Sequence, residues 1–331
     1  MIRSIRSKRL CDNRAFFAVC YEWEDELSKK MSVPISNINK TEFNITRAVR
    51  KLSPKSYHIR QDLRKDTMLY FAMFVKELRF YSNVNGIPIF IDVWGNQEIE
   101  YIVEKTRGFS LFYVTSIDVY NKIKELDVTS HVHYMPLSVP DKYFSKDFAR
   151  YHEKSIDVIQ MGRKNPLLHK WVLKYVASHP DVEYVYTEKT SNDAQMEYIS
   201  TKRGNIGSLK GREEFIHTLS SSRISLVSSP AIDNPKRNMF GIDYPTPRFY
   251  ESAALGCALI GRYTENEESN RLKLNSVCPN VTSYEMFSSE VDKALAIPVD
   301  TLYSANSSFI FSNLTSRRAI QITEDLNKIV E

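Results

Sequence analysis

The stretch Asp243–Gly261, DYPTPRFYESAALGCALIG, predicts a loop, a short helix and a buried strand in succession. Pro247 suits the start of a helix, because a proline there loses no N–H group that the helix needs. The helix is predicted over residues 248–255, and Gly256 follows it, where helices often end in a left-handed residue. The short apolar run after Gly256 is typical of a buried strand.

Two side chains at the start of this helix, Arg248 and Glu251, suggest chemistry. A helix N-terminus exposes N–H groups and carries about half a positive charge, so it can hold a phosphate. An arginine beside it can clamp the same anion with two parallel hydrogen bonds, and a carboxylate one turn later can accept hydrogen bonds from sugar hydroxyls. The alternative is that Glu251 only complements the helix dipole and that Arg248 is a solvated charge.

The same stretch resembles the C-terminal-domain signature of the retaining GT-B glycosyltransferases, in which an acid, seven residues and a glutamate follow one another. Asp243 and Glu251 are the matching pair here, although the family usually has glutamate in the first place. The segment RFYESAALGCALIG is also similar to a pattern of the capsule- and spore-coat-type glycosyltransferases. The match is specific over about twenty residues and diffuse over the rest of the C-terminal half.

This resemblance implies an α/β protein of GT-B fold, with two Rossmann-like, doubly wound domains that face one another across a cleft. It also implies a retaining transferase that moves a sugar from a nucleotide diphosphate sugar to a glycan, lipid-linked or protein acceptor, as in surface polysaccharide or glycoconjugate synthesis. Neither a metal nor another cofactor is expected, because side chains and the helix N-terminus would neutralise the charge of the diphosphate.

The resemblance also implies roles for individual residues of the C-terminal half. Asp243, which would contact the transferred sugar, and Glu251, which would bind the ribose, are the candidate catalytic residues. The candidate contacts to the nucleotide sugar are Arg163 and Arg248 on the diphosphate, Lys164 or Lys170 as a further cation, Glu188 near the base or ribose, and Ser252. Fixed cations suit this task, because the leaving diphosphate gains negative charge as the sugar departs.

The bulk properties of the sequence agree with two ordinary globular domains. The chain has 331 residues, of which 42% are hydrophobic and 26% charged. Its four cysteines show neither a close pair nor a metal-ligand spacing, which favours a reducing compartment. The net charge of +5 is too mild to indicate nucleic acid as a partner.

Alternating strand and helix patterns predict a parallel sheet in each half, with a polar segment between them. The predicted organisation is an acceptor domain over residues 1–142 and a linker over 143–155, followed by a nucleotide-sugar domain over 156–315. A last helix over 316–331 is expected to cross back to the first domain. In the second half, a strand over Ile156–Met161 leads into the turn GRKN, where Gly162 permits a tight bend.

In the N-terminal half, strands are predicted over Ala15–Tyr21 and Ile87–Trp94, and a helix over Thr67–Phe80. Asp92 falls near the carboxyl end of its strand, where ligands gather in open α/β sheets, and is therefore a candidate for acceptor binding. The other interpretation is that Asp92 only caps the turn at Gly95.

The segment Asn44–Lys65 carries seven basic residues against one acid, Asp62. Such a cluster can hold phosphates, lipid headgroups or nucleic acid, although charge runs are usually solvated faces. The resemblance implies a second interpretation, because glycosyltransferases of this fold often dock on anionic membranes through a basic part of the N-terminal domain. The expectation is therefore a cytoplasmic protein, with a peripheral position on the inner face of the membrane as the second alternative for this segment. The basic N-terminus MIRSIRSKR is not followed by an apolar run, so no secretory signal is predicted.

Three other functions remain open at this stage. A nucleotide-sugar epimerase of the same two-domain shape would isomerise its substrate without an acceptor. A degenerate glycosyltransferase would serve as a binding subunit in polysaccharide assembly. A nucleic-acid binder would work through Asn44–Lys65, and its binding would fall steeply with salt. A phosphate loop is not predicted over Gly204–Gly211, because the Gly-Lys-Ser/Thr ending is missing.

Overall fold

A computed structural model of the chain describes residues 2–52, 58–82, 84–144, 153–189, 196–238 and 240–330. These residues form two compact units: residues 2–140, 240–242 and 315–330 make the first unit, and residues 141–238 and 243–314 the second. Part of the predicted linker, residues 145–152, lies outside the described residues. Across the described ranges, no helix is long and apolar enough to span a bilayer.

The first unit is built on a parallel sheet with the strand order β2-β1-β3-β4-β5-β6. Its strands are β1 (Ile2–Ser7), β2 (Ile35–Asn37), β3 (Thr67–Ala72), β4 (Gly86–Phe90), β5 (Phe112–Val114) and β6 (Val132–Tyr134). The helices that connect them are α1 (Ala18–Met31), α2 (Lys40–Leu52), α3 (Asn96–Lys105) and α4 (Ile117–Leu126).

The strand predicted over Ala15–Tyr21 is wrong. Residues 15–17 form a 3-10 turn, and α1 begins at Ala18. The buried residues Phe17, Cys20 and Trp23 follow one another at helical spacing, and a short apolar run does not by itself distinguish a helix from a strand. The first strand is instead Ile2–Ser7, which looks like a polar, basic terminus although Ser4 and Ser7 are buried in it.

The helix predicted over Thr67–Phe80 is also wrong. Residues Thr67–Ala72 form β3, and Val75–Tyr81 forms a 3-10 helix. β3 lies between β1 and β4, and five of its six residues are buried. A strand covered on both faces shows a continuous apolar run rather than alternation, so its residues also fit a helical pattern.

The second unit is built on a sheet with the order β10-β9-β8-β7-β11-β12, in which β7, β8, β11 and β12 run parallel and β9 and β10 are antiparallel. The strands are β7 (Ile156–Gln160), β8 (Tyr184–Lys189), β9 (Met196–Ser200), β10 (Gly204–Gly207), β11 (Ser222–Ser228) and β12 (Ala258–Arg262). The helices are α5 (Pro166–Ser178), α6 (Arg212–Ser220), α7 (Pro235–Asn238), α8 (Pro247–Ala254), α9 (Glu267–Arg271), α10 (Tyr284–Ala296) and α11 (Val299–Ser312). A last helix, α12 (Thr315–Val330), belongs to the first unit and packs against α1.

The prediction of loop, helix and strand over Asp243–Gly261 is confirmed. Pro247 is the first residue of α8, Gly256 adopts a φ of +68° just after its end, and β12 follows. β12 pairs with β11, so this stretch is built into the sheet that carries the second core. The glycine-containing segment after β9 is a β-hairpin strand and not a phosphate loop.

Each sheet has one point at which the strand order reverses. In the first unit, the chain leaves β1 for β2 on one side and returns to β3 on the other. In the second unit, the chain leaves β7 for β8 on one side and later returns to β11 on the other. Ligands of open α/β sheets bind outside the carboxyl ends of the strands at such a reversal. The loops after β1, β3, β7 and β11 are therefore the places to look for a site.

Candidate functional site

The turn after β7 is in contact with the first turn of α8. Gly162 adopts a φ of +68°, which favours glycine, and a Cβ atom added to it would lie 2.2 Å from Nη1 of Arg248. The guanidinium of Arg248 therefore rests against the α-carbon of Gly162. The sequence predicted both residues as phosphate contacts or turn residues, and the structure brings them together at the reversal point of the second sheet.

The guanidinium of Arg248 forms no ion pair within the described part of the chain. No described residue lies within ion-pair or hydrogen-bond distance of it, and Arg248 as a whole is partly buried. Desolvation lowers the pKa of Arg248, and attraction to the Glu251 carboxylate and Tyr198 offsets this only in part. The guanidinium stays protonated at neutral pH, because arginine starts from a pKa above 12. A partly desolvated cation without a protein partner is suited to an anionic ligand.

Glu251 lies in the second turn of α8, is only 2% exposed and forms an ion pair with Arg212. Nη2 of Arg212 lies 2.5 Å from Oε1 of Glu251. No described residue donates a hydrogen bond to the second carboxylate oxygen, Oε2. Oε2 is also absent from the set of fully buried polar atoms without a partner, so it is accessible. Oε2 is thus able to accept a hydrogen bond from a ligand. Arg212 was not predicted, because nothing near it in sequence points to a partner 39 residues away.

Thr246 precedes α8 at the N-cap position, but its side chain does not cap the helix. Its hydroxyl is buried and, among the described residues, has no hydrogen-bond partner. A threonine at this position ordinarily accepts a hydrogen bond from the second or third N–H of the helix. A buried polar group without a protein partner calls for a water or a ligand, so the hydroxyl of Thr246 is a second candidate donor beside Arg248.

The other predicted cations lie on the same loop or on the helix that follows it. Lys164 forms an ion pair with Glu188, with 3.2 Å between Nζ and Oε1, and its ammonium lies over the ring of Tyr186. Arg163 is exposed in the turn, and Lys170 is exposed in the second turn of α5. Of the two alternatives for a further cation, Lys164 is therefore the one joined to Glu188.

The loop after β7 is held in place by a network of buried polar contacts. Oδ1 of Asn165 accepts hydrogen bonds from the first N–H groups of α5, and its Nδ2 donates to Asp233 over 2.8 Å. Asp233 also forms a two-pronged ion pair with Arg262, at 2.5 and 2.6 Å. Burial alone would raise the pKa of Asp233, but the hydrogen bonds from Arg262 and Asn165 outweigh it and lower that pKa.

The side chains of Asp243 and Ser252 are occupied inside the protein. Asp243 is 5% exposed, and its carboxylate accepts hydrogen bonds from the hydroxyls of Ser229 and Thr264 and from the N–H of Ala231. Ser252 is fully buried, and its hydroxyl donates to Ser225 over 2.8 Å. Asp243 ties the loop after β11 to the loop after β12, which is a structural task that the sequence did not predict.

In the first unit, Asp92 lies just after β4, and its Oδ1 accepts a hydrogen bond from the indole N–H of Trp94. It is partly exposed at the carboxyl edge of the sheet.

Within the basic segment Asn44–Lys65, Arg64 and Lys65 pair with Asp62, whereas residues 53–57 lie outside the described ranges. The described residues contain no group of three His, Cys, Asp or Glu side chains arranged to bind a metal.

Solved structures with this architecture are known. Trehalose-6-phosphate synthase OtsA is 12% identical with a TM-score of 0.51, and 86% of this chain and 76% of that chain are aligned. The pneumococcal O-GlcNAc transferase GtfA, in complex with UDP and GlcNAc, is 10% identical with a TM-score of 0.50, covering 89% and 61%. TarM is 10% identical with a TM-score of 0.52, covering 85% and 57%.

The chain has the GT-B fold. The predicted fold class is thereby confirmed, since two α/β units with mainly parallel six-stranded sheets match these glycosyltransferases. No protein-family model and no curated protein sequence matches the chain. At this level of identity the GT-B fold is what the likeness shows, and the activity has to be argued from the site.

Proposed function

We propose that the protein is a glycosyltransferase that takes a sugar from a nucleoside diphosphate sugar. The observation that carries this proposal is the position of Arg248. Its guanidinium rests against Gly162 at the sheet reversal, and no described residue forms an ion pair or hydrogen bond with it. A structure of UDP-2-fluoro glucose on a trehalose-6-phosphate enzyme of E. coli, which has the same fold at a TM-score of 0.50, supports the choice of ligand.

The diphosphate lies between the turn at Gly162 and the start of α8. Arg248 donates two parallel hydrogen bonds to it, and the hydroxyl of Thr246 and the first N–H groups of α8 supply further donors. The charge on the diphosphate grows as the bond to the sugar breaks. A cation that is already fixed in place stabilises this charge without having to reorganise, so its contribution is larger in the transition state than in the ground state.

Glu251 binds the ribose through Oε2, while Arg212 fixes the orientation of the carboxylate through Oε1. Lys164 and Glu188, joined to each other beside Tyr186, line the same loop and meet the nucleotide. Arg163 and Lys170 are auxiliary cations. A direct contact between Asp243 and the transferred sugar stays a prediction, since the hydrogen bonds of its carboxylate already give it a structural role.

The proposal has further parts, which concern stereochemistry, metal dependence, the acceptor and the membrane. We propose retention of configuration and no requirement for a divalent metal, because side chains neutralise the diphosphate. We also propose a glycan, lipid-linked or protein acceptor that enters near Asp92, and docking of the basic segment Asn44–Lys65 on an anionic membrane surface. Co-sedimentation with vesicles that contain about 30% anionic lipid, compared with neutral vesicles, tests the docking.

A thermal-shift screen against nucleotides and nucleotide sugars tests the donor. A ligand that binds only the native state at about 100 times its Kd stabilises it by ~2.7 kcal/mol, which is readily seen as a rise in Tm. The screen is run on the wild-type chain, on Arg248→Gln and on Lys293→Gln. Lys293 is a matched control, since it is an exposed cation that pairs with Glu290 on α10.

We expect a nucleoside diphosphate sugar to raise the Tm of the wild type and of the Lys293 variant but not of the Arg248 variant. Product analysis with the same nucleotide sugar then distinguishes a glycosyltransferase from an epimerase. Isomerised nucleotide sugar in the absence of an acceptor would indicate an epimerase. A chain that binds none of the ligands would be a scaffold and not a transferase, which would refute the proposal.

A further inference from the structure

The first unit contains a cavity of about 370 Å³ whose wall carries four cations and two carboxylates. These charged side chains are Arg14, Arg47, Lys76, Arg79, Asp12 and Glu77. None of them belongs to the site around Arg248, which lies in the second unit. The cavity falls at the small end of the range of ~300–1,000 Å³ that is usual for small-molecule sites.

Both carboxylates of the wall already form ion pairs with cations of the protein. Nη2 of Arg14 lies 2.6 Å from Asp12, and the buried ammonium of Lys8 pairs with Glu77 and lies 3.8 Å from Asp12. The second oxygen of Glu77 accepts hydrogen bonds from the N–H groups of Met73 and Phe74. Neither acid is therefore available to a ligand or to the other cations.

The remaining charge of the cavity is positive. Together with Lys8 behind the wall, five cations face two carboxylates, which leaves a formal surplus of +3. Arg47 and Lys76 are exposed, and no carboxylate of the described residues lies within 4 Å of either. Burial lowers the pKa of Lys8, although its two carboxylate partners offset this in part. An anionic ligand would meet several donors at once.

Three aromatic rings and Cys11 complete the wall. Phe43 and Phe80 are stacked, with 4.5 Å between their ring centroids, and Phe74 lies beside Lys76. Aromatic faces offer flat apolar surface to one face of a ring-shaped ligand while cations hold its charged end. Cations and aromatic faces in one small cavity suit a compact ligand with an apolar ring face and an anionic substituent.

The cavity also occupies the place in the fold where ligands are expected. Asp12 and Arg14 follow β1, Arg47 lies on the helix after β2, and Lys76 and Glu77 follow β3. The strand order reverses between β1 and β3, so the cavity sits at the reversal point of the first sheet, as Gly162 and Arg248 do in the second.

We propose that this cavity binds a sugar phosphate, with Arg47 and Lys76 on the phosphate and the phenylalanine rings against the sugar. A phosphate monoester matches the surplus of positive charge better than a carboxylate, because it carries nearly two negative charges at neutral pH. That the bound sugar phosphate is the acceptor of the transfer reaction rests on the proposed function. The binding itself does not, since it involves only residues of the first unit.

Isothermal titration of the full chain with hexose 1- and 6-phosphates, without any nucleotide, tests this site. We expect at least one hexose phosphate to bind and the corresponding free hexose to give no signal. Arg47→Gln and Lys76→Gln should each weaken binding by about tenfold or more, which is the usual effect of losing one charge-assisted hydrogen bond. Lys29→Gln, an exposed cation of α1 away from the cavity, should bind like the wild type.

Four results would overturn the proposal. The first two are that no hexose phosphate binds the wild type, or that the two cavity variants bind hexose phosphate as tightly as the Lys29 control. The other two are that glucuronate binds as tightly as the hexose phosphates, or that only anionic vesicles bind. Arg248→Gln keeps this test separate from the proposed function. It should leave the affinity for the hexose phosphate unchanged while it removes nucleotide binding, so either site can fail without the other.

Discussion

Replacing Gly162 with alanine probes the contact on which the phosphate site depends. The new Cβ would lie 2.2 Å from Nη1 of Arg248, closer than any real contact allows. The neighbour that must move is the end of a flexible side chain, so the clash costs little stability and displaces the guanidinium. The left-handed backbone adds about 1–2 kcal/mol of strain, since φ is +68° and alanine disfavours that region.

The expected loss of affinity follows from what the guanidinium contributes. A hydrogen bond to a charged group is worth ~1.5–3 kcal/mol, which corresponds to roughly ten- to hundredfold in Kd. We therefore expect Gly162→Ala to weaken nucleotide-sugar binding by that factor while the chain loses only about 1–2 kcal/mol of stability. Isothermal titration gives the Kd, and urea unfolding gives the stability.

Gly204→Ala is the matched control, because Gly204 has a similar φ of +72° and nothing lies within 4 Å of its added Cβ. It should lose similar stability but no affinity. In the background of Arg248→Gln, Gly162→Ala should have almost no further effect on binding, because the two changes act through one group. If Gly162→Ala binds as tightly as Gly204→Ala, the guanidinium is not a ligand group and the reasoning fails.

Three further outcomes follow from the same geometry. Glu251→Gln should abolish transfer and remove the ion pair with Arg212, at a cost of about 1–3 kcal/mol in urea unfolding; full turnover would remove Glu251 from the site. Asp243→Asn should also lose about 1–3 kcal/mol, because an amide nitrogen cannot accept the hydrogen bonds that the carboxylate accepts; unchanged stability would contradict its structural role. Transfer measured with and without EDTA should proceed at the same rate, and strict dependence on added Mg²⁺ or Mn²⁺ would contradict the metal-independent reaction.

The second half of the fold could be predicted from local signals. Pro247 and Gly256 mark the two ends of α8, and the apolar run after Gly256 is β12. Gly162 was recognised as the turn after β7 for the same reason. In each case one residue type restricts the backbone strongly enough to fix a boundary without any knowledge of its neighbours.

In the first half of the fold, the local signals of strands β1 and β3 are weaker. β1 reads as a basic, polar terminus, yet Ser4 and Ser7 are buried against the neighbouring elements. The apolar pattern of β3 predicts a helix, since a strand covered on both faces lacks alternation. Burial decides these elements, and burial depends on residues that are distant in sequence.

The site was predicted in part for a related reason. Arg248 and Glu251 stand out because they begin a recognisable helix, but the partner of Glu251, Arg212, lies on another helix. The hydrogen bonds that occupy Asp243 come from loops after two different strands. Residue types and spacing indicate which groups can do chemistry, whereas only the folded chain shows which of them are already engaged.

The central claim is that Arg248, held against Gly162, binds the diphosphate of a nucleotide. Comparing the affinities for UDP, UMP and uridine in the wild type and in Arg248→Gln tests it most directly. We predict that the wild type prefers UDP over UMP by roughly tenfold or more and that this preference disappears in the variant. A preference of equal size in both proteins would show that the diphosphate is bound elsewhere.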